Sequence, residues 1–172
     1  MEGDRAERVG ELLRERDETL AVAESDTGGM VGARLSSVPG ASDYFERGVT
    51  AYSYGWKLRS LGVARETLDE DGAVSEEVAR EMARGVRDLS ETTWGVSETG
   101  VAGPEGGTEE KPVGTVYVSV AYAGEWGTES SYSVVEKHEF EGGRNEVRRR
   151  TVDEVLDLLA DEIEGRHEHG GF

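Results

Sequence analysis

Between residues 19 and 38 the chain passes from an apolar run, Thr19-Leu20-Ala21-Val22-Ala23, through Ser25-Asp26-Thr27-Gly28-Gly29 into a helical stretch that Pro39-Gly40 ends. A strand that gives way to glycines and then to a helix is the elementary step of α/β folds, and here it recurs. Residues 47–53 carry Val49, Thr50 and Tyr52 and lead into a short helix around residues 57–61. Ser75, followed by Glu76 and Glu77, opens a further helix: the hydroxyl caps it, the carboxylates suit its positive end, and Val78, Met82, Val86 and Leu89 form its apolar stripe. Residues 93–99 form the next strand, residues 100–112 a loop, and residues 113–121 and 130–140 two strands of a hairpin. Ala6, Val9, Leu12 and Leu13 mark an amphipathic helix before the first strand. Val152, Val155, Leu156, Leu159 and Ile163 mark another after the last, and residues 164–172 read as a frayed tail. The order predicts one domain, a three-layer α/β/α sandwich around a mixed β-sheet, with its core at about residues 19–159. Ligands of such folds sit beyond the carboxyl ends of the strands, where Ser25, Tyr52 and Thr99 all fall.

Thirty-seven acidic against 19 basic residues leave a net charge of −18, spread over every segment. Such a surface repels nucleic acid and anionic membranes, and resembles the solvated shell of proteins adapted to concentrated salt. With no cysteine, disulfide and thiolate chemistry are excluded. No segment has the length of a membrane span, and the charged N-terminus has no apolar signal core, so cytoplasmic residence is expected.

Ser25 has two readings, a helix N-cap or a nucleophile on a rigid strand end beside the free N–H groups of the next helix. A nucleophilic serine needs a base. Tyr52 and Lys57 can each serve with a lowered pKa; their bland readings are sheet packing and a solvated helix face. The three histidines, His138, His167 and His169, do not fit a Ser-His-Asp arrangement or show metal-ligand spacing, so no metal or other cofactor is expected. The loop Thr99-Gly100-Val101-Ala102-Gly103-Pro104-Glu105-Gly106-Gly107 is either a long surface connection or a cradle of N–H groups for a phosphate or oxyanion. Arg144, which follows Gly142-Gly143, either binds phosphate or pairs with surface carboxylates, as Arg148, Arg149 and Arg150 do on the bland reading.

Taken together, Ala23-Glu24-Ser25-Asp26-Thr27-Gly28-Gly29, Tyr52-Ser53 with Lys57, Gly72-Ala73-Val74-Ser75, Thr99-Gly100-Val101-Ala102-Gly103-Pro104, Lys111-Pro112-Val113-Gly114-Thr115-Val116-Tyr117 and Gly143-Arg144 resemble the CinA C-terminal domain family over residues 19–159. The resemblance implies a three-layer domain, commonly a homodimer, that hydrolyses nicotinamide mononucleotide to nicotinate mononucleotide and ammonia. It implies Ser25 as nucleophile and Tyr52 and Lys57 as the groups that take and return its proton. Thr27, Gly28, Gly29, Thr99, Gly100, Gly103 and Arg144 would line the nucleotide site. Pyrophosphatase activity, which the family's longer members owe to another domain, is not expected of these residues.

Two departures stand out: Asp26 replaces the family's usual cysteine, and Tyr54-Gly55-Trp56 its usual Asn-Glu-Ala. An inward-facing Asp26 would favour a charged Lys57 and oppose an oxyanion, whereas an outward one would belong to the acidic shell. The departures keep open a second reading, a nucleotide-binding or interaction module in competence or DNA-damage physiology.

The charge makes a prediction of its own. Thermal melting in dilute and in molar salt should show a melting temperature that climbs as repulsion is screened, and one indifferent to salt would remove the halophilic reading.

Overall fold

The computed structural model describes residues 4–169. Its twelve-residue first helix, α1 (Arg5–Arg16), is capped by Asp4, whose carboxylate accepts from Ala6 N. There follow β1 (Leu20–Glu24), α2 (Met30–Ser36), β2 (Phe45–Thr50), α3 (Tyr54–Leu61), α4 (Arg65–Asp71), α5 (Glu76–Ser90), β3 (Trp94–Gly100), β4 (Thr115–Tyr122), β5 (Tyr132–Glu139) and α6 (Arg144–His169). The five strands form one sheet in the order β2-β1-β3-β4-β5. β1 runs parallel to β2 and β3, whereas β4 is antiparallel to β3 and to β5, so the sheet is mixed. Helices α1, α2 and α6 cover one face and α3, α4 and α5 the other, giving the expected three layers.

Alternation along the strands assigns the faces. Leu20, Val22, Trp94, Val96, Val116, Val118 and Val120 join α1 and α6 in the larger core. On the opposite face the neighbouring positions are small: Ala21, Ala23, Gly95 and Ser97. This lets α5 lie flush on the sheet, held by Ser97 Oγ donating to Ala79 O at 2.6 Å. Its N-terminus is capped as the sequence implies, Val78 N donating to Ser75 Oγ at 3.3 Å.

Two expectations need correction, and one helix lies beyond them. Leu89 is 56% exposed; the stripe of α5 ends at Val86, and the chain turns at Glu91 (φ 54°) towards β3. Helix α4 escapes a periodicity reading because Leu68 is its only buried residue. The end of α6 is not a frayed tail up to His169: Ile163 is fully buried, and Arg166 stacks 4.4 Å over Tyr122 while pairing with Glu18. Residues 170–172 of that expected tail lie outside the described residues.

Parallel pairing puts the carboxyl ends of β1, β2 and β3 at one edge. Glu24 is level with Thr50, and Ala23 with Ser97, so residues 25, 51–52 and 98–100 meet there. Gly85 sets the spacing of the α3 side, because a Cβ built on it would fall 1.8 Å from the carbonyl oxygen of Leu61 at the end of α3. Urea denaturation of Gly85→Ala should therefore show a loss of at least about 1–3 kcal/mol, the range for overpacked cores.

Candidate active site

Lys57 is 1% exposed, despite its charge and its place on a short helix. Its Nζ lies 2.9 Å from Ser25 Oγ, 2.7 Å from Ala51 O and 3.1 Å from Tyr52 O. Burial pushes its pKa below the ordinary value, outweighing the opposite pull of Glu98 and Asp26. A neutral amine has two N–H groups and one lone pair. In that form the two carbonyls would take the N–H groups and leave the lone pair for the serine hydroxyl. The solvated-face reading of Lys57 is thereby replaced, and so is the cap reading of Ser25, because the N-cap position of α2 is Gly29.

The loop carrying Ser25 hangs on two buried carboxyl groups. Glu98, on β3, accepts from Ser25 N, from Thr27 N at 3.1 Å and from Thr27 Oγ1 at 2.7 Å, all through Oε1. Glu24, at the end of β1, accepts from Val31 N at 2.8 Å and Gly32 N at 3.1 Å, and so caps α2. Four donors beside the serine, the N–H groups of Ser25, Thr27, Val31 and Gly32, are thus spent on acids, whereas those of Asp26 and Gly29 have no acceptor among the described residues. Gly28 and Gly29, with φ of 61° and 106°, shape the turn between them.

Complete burial, the neighbouring Asp26 carboxylate and the hydrogen bond between the two acids push the Glu98 pKa well above its ordinary value of 4.5. Since Oε1 is occupied as an acceptor, the proton belongs on Oε2, whose prospective partner among the described residues is Asp26. Asp26 points inward: it is 6% exposed and lines the cleft, and its Oδ2 would lie only 3.3 Å from a Cβ on Gly100. The lysine's pKa is nevertheless lowered, because burial is the larger effect.

The cleft adjoining the serine–lysine pair has a volume of about 410 Å³. Tyr52, Gly100, Gly103 and Arg144 line it, together with Asp26 and Lys111. Along residues 102–107 no backbone N–H has an acceptor among the described residues, so the glycine loop is a rim of free donors. Arg144 donates to Gly103 O at 2.7 Å and to the Tyr52 hydroxyl at 3.1 Å, which ties the loop to the connection between β2 and α3. Tyr52 therefore meets Lys57 through its carbonyl, while its 60% exposed phenol side chain meets Arg144. Thr99 lies behind the cleft, its hydroxyl donating to Ala73 O at 2.7 Å, and Thr27 is fully buried between Glu24 and Glu98.

Arg148 is a further part that residue-by-residue reading undervalues. It donates to Asp26 O at 2.9 Å and to Thr27 O at 3.2 Å, clamping the serine loop from α6. The available signal was its i+4 spacing from Arg144, which puts both on one helix face. Lys111 stands within a family motif, but only the fold brings it to the cleft, where it donates to Asp71 O at 2.6 Å. Elsewhere, Glu136, His138 and Glu154 place potential ligand atoms within 4.8 Å of one another. That group shares no residue with the cleft, and His138 already contacts Glu136 at 3.2 Å. A larger groove of about 580 Å³ runs between α1, β5 and α6, but its Arg5 and Arg8 are neutralised by Asp157 and Asp161.

Residues 3–163 match the model of the CinA C-terminal domain. A CinA-like protein of Synechococcus elongatus is 49% identical over 151 residues, covering 88% of this chain and 35% of that protein. Among solved structures, the competence/damage inducible protein CihA of Agrobacterium tumefaciens is 33% identical with a TM-score of 0.83, over 91% of this chain and 94% of that one. A CinA superfamily protein of Klebsiella pneumoniae is 29% identical with a TM-score of 0.85, over 93% and 96% of the two chains. The chain spans little more than a third, 37%, of the length of the first curated relatives it matches.

If Glu98 is held protonated, its amide analogue should fit. Glu98→Gln is expected to keep the fold within about 1 kcal/mol, whereas Glu98→Ala should lose about 1–3 kcal/mol for each donor stranded, as read by urea denaturation. The native fold holds a proton that the unfolded chain releases near pH 4.5. Stability thus falls as pH rises from there to the folded pKa, a slope that Glu98→Gln removes.

Proposed function

The chain belongs to the CinA C-terminal domain family, and on that premise we propose that it is a serine amidase acting on nicotinamide mononucleotide. The observation that carries the reading is the buried Lys57 Nζ, 2.9 Å from Ser25 Oγ and within hydrogen-bond distance of the carbonyls of Ala51 and Tyr52. Lys57 accepts the serine proton as Oγ attacks the carboxamide carbon. The resulting ammonium returns that proton to the departing nitrogen, ammonia leaves, and an ester remains on Ser25. Water, deprotonated by the same amine, releases nicotinate mononucleotide and restores the hydroxyl.

The cleft suits such a substrate at its other end as well. Arg144 and Lys111, with the free N–H groups of residues 102–107, match a phosphate monoester. Tyr52 supports the mechanism through its carbonyl on Lys57 and supports binding through its phenol on Arg144. A homodimer, as the family resemblance implies, acting in the cytoplasm completes the proposal.

Ammonia release from nicotinamide mononucleotide in concentrated salt is the direct assay. Wild-type protein should turn over, and Ser25→Ala should lose roughly a thousandfold or more in kcat. Because only neutral Lys57 accepts a proton, kcat/KM should rise with pH through the lysine's lowered pKa. A wild type silent at every salt concentration and pH would leave the alternative, a module that binds nucleotide without turning it over.

A further inference from the structure

Glu136 and His138 stand two residues apart on β5, and so on one face of the strand, the face from which Tyr132 and Val134 pack on the larger core. Glu154 comes from α6 and meets them there. His138 Nε2 lies 3.2 Å from Glu136 Oε2 and 3.7 Å from Glu154 Oε2, and the three ligand atoms are all within 4.8 Å of one another. Two ligand atoms bound at about 2.0–2.1 Å to one tetrahedral ion are themselves about 3.3 Å apart. The observed separations bracket that edge. A single Nε2–H points at one carboxylate at a time, whereas an ion bound through the Nε2 lone pair faces both.

The charges point the same way. Elsewhere in the groove between α1, β5 and α6, Arg5 pairs with Asp153 and Asp157, and Arg8 with Asp161 and Glu164. Neither Glu136 nor Glu154 forms an ion pair with a lysine or arginine among the described residues; His138 is their common partner. Two carboxylates thus share one imidazole, and a divalent cation would match both. The imidazole is already oriented, its ring stacked on Phe140 with centroids 5.3 Å apart and planes inclined by 9°. Ordering it on binding therefore costs less.

We propose that Glu136, His138 and Glu154 form a binding site for a divalent transition-metal ion of the zinc type, which clips β5 to α6. One imidazole with two carboxylates suits such an ion, whereas magnesium and calcium take oxygen ligands. Glu136 and Glu154 line the groove, so an ion with three protein ligands keeps a position open to water. β5 is an edge strand paired only with β4, and the Tyr132 hydroxyl, donating to Glu162 at 3.0 Å, ties its beginning to α6. The ion would tie its end. Spacing along the chain gives no such signal, because Glu154 belongs to another element.

Calorimetric titration of the chelator-stripped full chain with Zn2+ tests the proposal. Concentrated nitrate salt screens the diffuse attraction of a surface with net charge −18, and a His167→Gln/His169→Gln background removes the other two histidines. One equivalent should bind with a dissociation constant of about 10 µM or tighter, undisturbed by excess Mg2+. His138→Gln on β5 and Glu154→Gln on α6 should each weaken binding at least about tenfold. Zn2+ should raise the melting temperature of the background protein and leave that of its Glu154→Gln variant unchanged. Glu136→Gln takes the place of His138→Gln if the latter does not fold. No binding, several weak equivalents indifferent to these substitutions, displacement by Mg2+, or a loss confined to one of the two elements overturns the proposal.

Discussion

The carboxyl group of Glu98 is the constraint on which the site depends. It rises from β3, accepts the backbone N–H groups of Ser25 and Thr27, and so fixes the turn that leaves β1. An ionised glutamate at complete burial would be far too costly, and the neighbouring Asp26 makes ionisation harder still. As a neutral acid it can do both jobs, accepting through one oxygen and donating through the other. The position of Ser25 Oγ relative to Lys57 follows from that single anchoring point.

The electrostatics of the cleft run against those of the surface. A chain with net charge −18 surrounds its candidate nucleophile with a lysine biased towards its neutral form and a glutamic acid that retains its proton. Burial produces both shifts, because a poorly solvated site disfavours whichever form carries the charge. Asp26 is the exception: both of its oxygens are buried, and neither accepts from an N–H or alcohol hydroxyl of the described residues. The arginines that approach do so for mechanical reasons: Arg144 and Arg148 bind carbonyls, stitching α6 to the glycine loop and to the serine loop.

Much of this was legible residue by residue. Strand and helix periods gave the layers, since faces alternate by two in a strand and recur by three or four in a helix. Ser25 and Lys57 could be nominated as partners because each type of residue makes chemical sense only with the other. Glu98 could not be nominated: within Trp94-Gly95-Val96-Ser97-Glu98-Thr99 it is one acidic residue among 37 acids, and only its opposition to the serine loop distinguishes it. Leu89 misled for the converse reason, because periodicity assigns a face to a residue without saying where the covering layer stops. The grouping of His138 with Glu136 and Glu154 was equally invisible, since Glu154 comes from a different element.

The sequence by itself determined the class of fold, the strand end that bears the serine, and the residue types available for chemistry, because these follow from local periodicity and from turn residues. The tertiary structure alone decided the protonation of that chemistry and the direction in which Asp26 points. Both depend on what is packed within a few ångströms from distant parts of the chain, and no local pattern contains that information. The same lysine on an exposed turn of α3 would be an ammonium ion with nothing to accept. Beneath the ends of β1 and β2, with two carbonyls holding its hydrogens, it is placed as a base.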